Sequence, residues 1–524
     1  MNLILKLLFI YFLLPVLVVE GCFPMNGMTI DIKFNPVTTK PELEESSKSS
    51  RRKKTTVRRR WTTPIPTEEV DTEAPSTTID LEASSKSLSE FVDKSVDPCD
   101  DFYQFTCGTF IKNNPVKEKE SPKGPILGNQ TEFYEFTKSI MVKPQYTNST
   151  ALIKINRFLK KCLPLQGSEK STCMVFLYIF GQYFFASAYL NEYANNKKFE
   201  MNYENVDKLV SKIIEEFALI LLYEKDDFLD TRTKHNYLTK LGNMKFSREA
   251  LHFVYNLNQT DECYSHFPLE DYHPVRTIYM NVILGNLFMP RKKETKRYSC
   301  SDFFLKTNFL STMTSINALY FHGKNSVILL PKFLDKPFFD INYPDSFKYG
   351  SIGFVIGHEI IHGYDGWGIH FNYEGKIERN MTSNETKKKF RKKSKCFGEQ
   401  YRNSTGKRSS RFVDVNQLIS DNGGIKIAHR AFMKLLKKRE ANEAIIPEFE
   451  EYNSEQLFFI NFGKTFCISM AESITVNGTK KAVTNPTRYR INNAISNYAP
   501  FSEAFKCKKG SKMNPKNKCE LWMH

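Results

Sequence analysis

Two imidazoles and a carboxylate fall within five residues at His358, Glu359 and His362, inside "GHEIIHGYD" (357–365). Residues four apart on a helix share one face, so both imidazoles can meet one metal ion. Zinc is the ion that this His-Glu-x-x-His spacing takes. Glu359 stands beside the pair and is placed to act as general base on a metal-bound water. The chemistry implied is metal-assisted hydrolysis of a peptide bond. The run before it, "SIGFVI" (351–356), is apolar, as a buried helix requires.

Two histidines do not complete a zinc site. One known arrangement takes a third histidine six residues after the second, with a glycine between. Here those positions are Asp365 and Gly368, which excludes it. The other takes a Glu from a later helix. The helix available begins near "VNQLISDNGGIKIAHRAF" (415–432).

The elements that must carry these residues are mostly helical. Val206, Leu209, Val210, Ile213, Ile214, Phe217, Ile220 and Leu221 form one helical stripe, and Ile425, Ala428, Phe432, Leu435 and Leu436 another. "SEQLFFINFGKTFC" (454–467) reads as a buried helix and "SVILLP" (326–331) as a short strand. The fold class expected is mainly α with a small β component.

The chain has 524 residues, 41% of them hydrophobic, with 43 Phe, enough for a large core. Net charge is +17 and clustered, as in "RRKKTTVRRR" (51–60) and "KKKFRKKSK" (387–395). The first cluster lies in a low-complexity stretch behind an export signal, so nucleic acid is excluded as a partner. Residues 1–21 read as a signal peptide: Lys6, then an apolar run to Val19, then Gly21 before Cys22. The alternative is a type II membrane anchor, for which the run is short and contains Pro15. Membrane contact is expected only through this segment, and localisation is extracellular. Asn129, Asn148, Asn258, Asn380, Asn384, Asn403 and Asn477 open N-x-[S/T] sequons. The 11 cysteines contain no Cys-x-x-Cys and read as a disulfide framework. Residues 22–94, rich in Ser, Thr, Pro and charge, read as a disordered stalk.

Several segments, in order, resemble one family, the neprilysin and endothelin-converting-enzyme zinc metallopeptidases. They are "DPCDDFYQFTCG" (97–108), "INALYFHGKN" (316–325), "GHEIIHGYD", "SDNGG" (420–424), "QLFFINFGKTFC" (456–467), "FSEAFKC" (501–507) and "MNPKNKCELW" (513–522). The resemblance implies a thermolysin-like (gluzincin) catalytic domain over 311–524. It also implies a mostly helical, reduced covering region over 95–310. His358 and His362 are similar to the family's zinc ligands, Glu359 to its base, and Asp421 to the aspartate that orients a ligand histidine. Asn317 and Ala318 resemble its substrate-backbone binders, and Arg490 the arginine that grips a substrate carbonyl. Phe354 and Val355 would line the pocket for an apolar substrate side chain, with core packing as the alternative. Small extracellular peptides are the implied partners. The implied disulfides are Cys99–Cys507, Cys107–Cys467, Cys162–Cys263 and Cys396–Cys519, with the partners of Cys173 and Cys300 left open.

The pattern breaks at three places. Where the family has its Glu ligand, four residues before the "DNGG" aspartate, this chain has Gln417, preceded by Asn416 in place of a glycine. Asp414 is the nearby carboxylate that would have to substitute. A family histidine that stabilises the oxyanion is Thr484 here. The ordered part is roughly a third shorter than the family's ectodomain, mainly between Cys162 and Asn317. The resulting expectation is a neprilysin-like protein with a weakened zinc site and little or no peptidase activity, which binds peptides instead. The alternative is an active endopeptidase cutting on the amino side of apolar residues.

Overall fold

The computed structural model describes residues 79–522, apart from 119, 128–135, 138, 195–196, 225–227, 247–248, 290–298, 306–312, 314, 406–413, 440–442, 472, 477–478 and 483–484. The signal segment, Cys22, the 51–60 basic cluster, Thr484 and the sequons at Asn129 and Asn477 lie outside the described residues.

The described chain opens with a helix where a disordered stalk was expected. Asp80 accepts from the Ala83 N–H at 2.9 Å and caps α1 (Leu81–Ser89). Leu88, Phe91 and Val92 are buried, which corrects the stalk's boundary. Three apolar side chains in a Ser-rich stretch are enough when a core is there to receive them.

Asp101 caps α2 (Phe102–Asn113), whose Phe102 and Phe105 pack against Phe501 and Phe505 near the other end of the chain. Disulfides Cys99–Cys507 and Cys107–Cys467 close this junction across 408 and 360 residues. Residues 79–522 fall within one compact unit.

Helices α3 (Thr150–Cys162) and α4 (Gly167–Ala194) form a hairpin. Helix α4 is apolar and long enough to cross a membrane, yet most of it is buried inside the unit. Cys162 bonds Cys173 within this hairpin, and Cys263 bonds Cys300. The expected Cys162–Cys263 bridge is therefore incorrect, for a geometric reason. Next in the chain come α5 (Lys197–Leu222), α6 (Thr231–Gly242) and α7 (Leu257–Ser265), which carries Cys263. Asp261 of α7 accepts from Ser149 Oγ and Ala151 N at the start of α3. Cys162 ends that helix, about 18 Å further along at 1.5 Å per residue.

The α5 stripe is buried as the periodicity predicts, with Ile214 half-buried. A three-stranded sheet runs in the order β1 (Lys245–Phe246), β3 (Ser326–Leu329), β2 (Ala318–Phe321). β1 pairs parallel and β2 antiparallel to β3, so β2 is an edge strand of this sheet. Then follow a π-turn (Tyr349–Gly353), α8 (Phe354–His362), α9 (Asn384–Thr405), α10 (Val415–Arg439), α11 (Ser454–Thr465) and α12 (Pro486–Asn497). Cys396 of α9 bonds Cys519 near the C-terminus. The fold is mainly α with a small β component.

The packing of α8 on α10 positions the site. A side chain on Gly357 would come 2.6 Å from the Gly424 carbonyl oxygen, and one on Gly424 2.6 Å from the His358 nitrogen. Only two glycines allow the backbones this close.

Candidate metal centre

Every residue of α8 is buried, and its two histidines point their Nε2 atoms at each other across 3.0 Å. The far side of each ring is held by a carboxylate. Asp365 Oδ2 lies 2.7 Å from His362 Nδ1, with Ser420 Oγ at 3.1 Å from the same nitrogen. Asp421 Oδ1 lies 2.9 Å from His358 Nδ1, an ion-pair distance without the alignment of a good hydrogen bond. Carboxylates at both Nδ1 atoms keep the protons there, which leaves lone pairs on the two facing Nε2 atoms. Lone pairs 3.0 Å apart repel unless a cation or a proton lies between them.

The carboxylates are themselves fixed. Asp365 Oδ1 accepts from the N–H groups of Trp367 and Gly368 at 2.8 and 2.7 Å. Asp421 receives Arg490 in a two-pronged pair, Nε to Oδ2 and Nη2 to Oδ1, both 2.7 Å. Burial would raise the Asp421 carboxyl, but Arg490 outweighs it and holds Asp421 below the usual carboxylate range. Burial opposes charge on both histidines. It prevails at His358, whose pKa is lowered, whereas Asp365 raises that of His362.

Gln417 occupies the third position, on the first turn of α10. It is 1% exposed, and its Nε2 lies 3.1 Å from His362 Nε2. Its Oε1 is buried with no hydrogen-bond partner. Exchanging the amide's two ends would aim that oxygen at the same imidazole nitrogen. Among the described residues no three His, Cys, Asp or Glu side chains converge as a metal-binding group. The histidine pair and its carboxylates fit a divalent cation; the third position offers at most a neutral oxygen. Asp414 does not replace it, since it is exposed and its Oδ1 accepts from Asn416 N at 3.1 Å.

Glu359 lies on α8 beside the pair, buried. Asn317 and Ala318 stand at the start of β2, which packs on α8. Phe354 is buried, edge-on to Phe462 at 4.5 Å, and Val355 is buried too. Sequence reasoning missed Asp365 and Ser420. Asp365 had a signal, a carboxylate only three residues after His362. It also missed Lys240 of α6, whose buried ammonium donates to the Gly363 and Gly368 carbonyls at 2.7 and 2.8 Å and holds the loop that carries Asp365.

Residues 317–521, which span this whole centre, match Peptidase family M13. The chain is 30% identical to Neprilysin-1 of Caenorhabditis elegans over 336 residues, covering 62% of this chain and 43% of that one. It is 34% identical to human neprilysin over 249 residues, covering 47% and 32%. Residues 317–521 are a Peptidase family M13 domain, homologous to the neprilysins. The chain's aligned part spans less than half the length of each of these relatives. In architecture it is similar to a solved chain of the Haemonchus galactose-containing glycoprotein complex, with a TM-score of 0.56. That likeness covers 84% of this chain and 99% of the other at 16% identity, and it concerns the fold alone. Gln417, at the position expected for the third ligand, lies inside the described centre, while Thr484 falls outside the described residues. The five disulfides place the chain in an oxidising, extracellular compartment.

Proposed function

We propose that this chain is an extracellular neprilysin-family protein with a degraded zinc site, weak or absent peptidase activity, and a retained capacity to bind small peptides. One observation carries the reading: buried Gln417 stands 3.1 Å from His362 Nε2 where the family supplies a carboxylate. Exchanging that carboxylate for an amide removes a full negative charge beside a +2 ion in a low-dielectric site. When bound, zinc would polarise a peptide carbonyl and acidify a water. His358, His362 and, at most, the Gln417 oxygen would hold it. Thr484 removes a donor whose loss typically costs about 10²–10³ in rate. Peptide binding is supported by the edge position of β2, which begins beside Asn317 and Ala318 and, among the described residues, pairs with β3 on one side; an extended peptide adding there would form a further strand. Arg490 would bound the cleft. No nucleic acid is involved, and membrane contact is confined to the N-terminal segment. That segment makes the protein secreted, or surface-anchored if it is retained.

The test is metal content. The protein is purified from a secreting host, zinc is measured by mass spectrometry, and a neprilysin-type peptide is offered. Stoichiometric zinc together with phosphoramidon-sensitive cleavage would refute the reading.

The second reading, an active endopeptidase cutting before apolar residues, is favoured by the intact His358, Glu359 and His362 with both backing carboxylates. Under it, Glu359→Gln abolishes cleavage. If Glu359→Gln changes nothing measurable, the enzyme reading goes.

A further inference from the structure

Beside the loop that follows His362, a cavity of about 150 Å³ opens between that loop, α9 and the first turns of α10. Its floor is apolar, made by Ile369, Phe390, Val415 and Ile419. Its rim is cationic. Lys387 and Arg391 lie one turn apart on α9, and His370 lines the same cavity. Burial lowers the His370 pKa, and the charges of Lys387 and Arg391 lower it further, so the three groups share one space.

Like charges four residues apart on a helix repel. Other lysines of the same run are neutralised, Lys389 by Glu385 at 2.8 Å and Lys395 by Glu399 at 3.4 Å. Among the described residues no carboxylate pairs with Lys387 or Arg391. The Lys387 ammonium donates to the Arg379 carbonyl at 3.0 Å. Two unneutralised cations over an apolar floor are a built receptor for an anion with a hydrocarbon body.

The geometry points to a binding site for a small organic carboxylate, its charge held by Lys387 and Arg391 and its apolar body on Ile369, Phe390, Val415 and Ile419. Inorganic anions would satisfy the rim and leave the floor unfilled, which is why the carboxylate is favoured. The site is separate from the histidine pair and does not depend on zinc. Asn416 borders both, because its Oδ1 accepts from Gly366 N at 3.0 Å.

Isothermal titration of the secreted full chain with hexanoate, benzoate, acetate and sulfate tests this. Hexanoate and benzoate should bind more tightly than acetate or sulfate. Lys387→Gln with Arg391→Gln should weaken them at least about tenfold. Lys388→Gln with Lys392→Gln, an equal charge loss from exposed positions on the same helix, should leave them within about twofold. Should the first pair not be secreted, Arg391→Gln alone carries the test. The proposal is overturned if neither organic carboxylate binds, if both variant pairs weaken binding equally, or if sulfate binds as tightly as benzoate.

Discussion

Gly357 and Gly424 face each other where α8 crosses α10, and neither has room for a side chain. A Cβ on Gly424 would stand 2.6 Å from the His358 nitrogen and 2.8 Å from its Cα, all backbone that cannot step aside. Gly424→Ala should therefore force the helices apart and cost about 1–3 kcal/mol. Gly398 of α9 is the control, because its Cβ would meet only Val415 Cγ2 at an ordinary 3.6 Å. Gly398→Ala should be neutral or stabilising by up to about 1 kcal/mol. Urea denaturation of both variants decides it; equal effects would mean that the crossing is not tight.

Gln417→Glu returns a carboxylate to the position next to His362 Nε2. Its charge should raise zinc affinity by at least about tenfold, read by competition against a chelator. The same variant should bind zinc more weakly as pH falls, since the new ligand must be deprotonated. An unchanged affinity would show that Gln417 is not at the metal position.

How far the centre could be read from sequence follows from distance along the chain. His358 and His362 were legible because one helical turn joins them. Asp421 and Arg490 could be named by resemblance, but their pairing with each other needs α10 and α12 brought together, which no local pattern encodes. The two glycines of "DNGG" read as part of a signature, while their physical roles, Gly424 at backbone contact with α8 and Gly423 against the Ile361 side chain, appear only in the packing. Helix α1 was missed because its Ser and Lys residues outweigh Leu88 in any local window. Phe354 was left between pocket lining and core packing, because an apolar residue one turn before a ligand histidine looks the same in sequence whether it faces substrate or Phe462.

The disulfides make a separate prediction. Non-reducing peptide mapping should recover Cys162 linked to Cys173 and Cys263 linked to Cys300. A Cys162–Cys263 peptide would overturn the α3–α4 hairpin. The Cys162–Cys173 bridge closes only a short loop, of separation 11, so removing it should cost less than removing Cys107–Cys467, of separation 360.

Lys464 of α11 gives a pH dependence whose sign can be worked out. Its ammonium is buried, donates to Ser87 Oγ at 2.5 Å, and lies over the rings of Phe91 and Phe347. Burial lowers its pKa from the ordinary 10.5 to about 7, with Glu90 pulling weakly the other way. Below pH 7 both folded and unfolded chains hold the proton, and the fold bears the whole desolvation cost. Between about 7 and 10.5 the unfolded chain keeps the proton and the folded one releases it, so stability must rise with pH across that window. Urea denaturation at pH 6.5 and 9.5 should show the wild type more stable at the higher pH, by an amount on the order of a few kcal/mol. Lys464→Met leaves Ser87 without its donor at every pH, so its mean stability says little; its slope with pH is the diagnostic. That slope should be shallower than the wild type's. Lys240, also lowered to about 7, keeps it from vanishing. Parallel slopes in the two proteins would mean that Lys464 reaches water and stays charged.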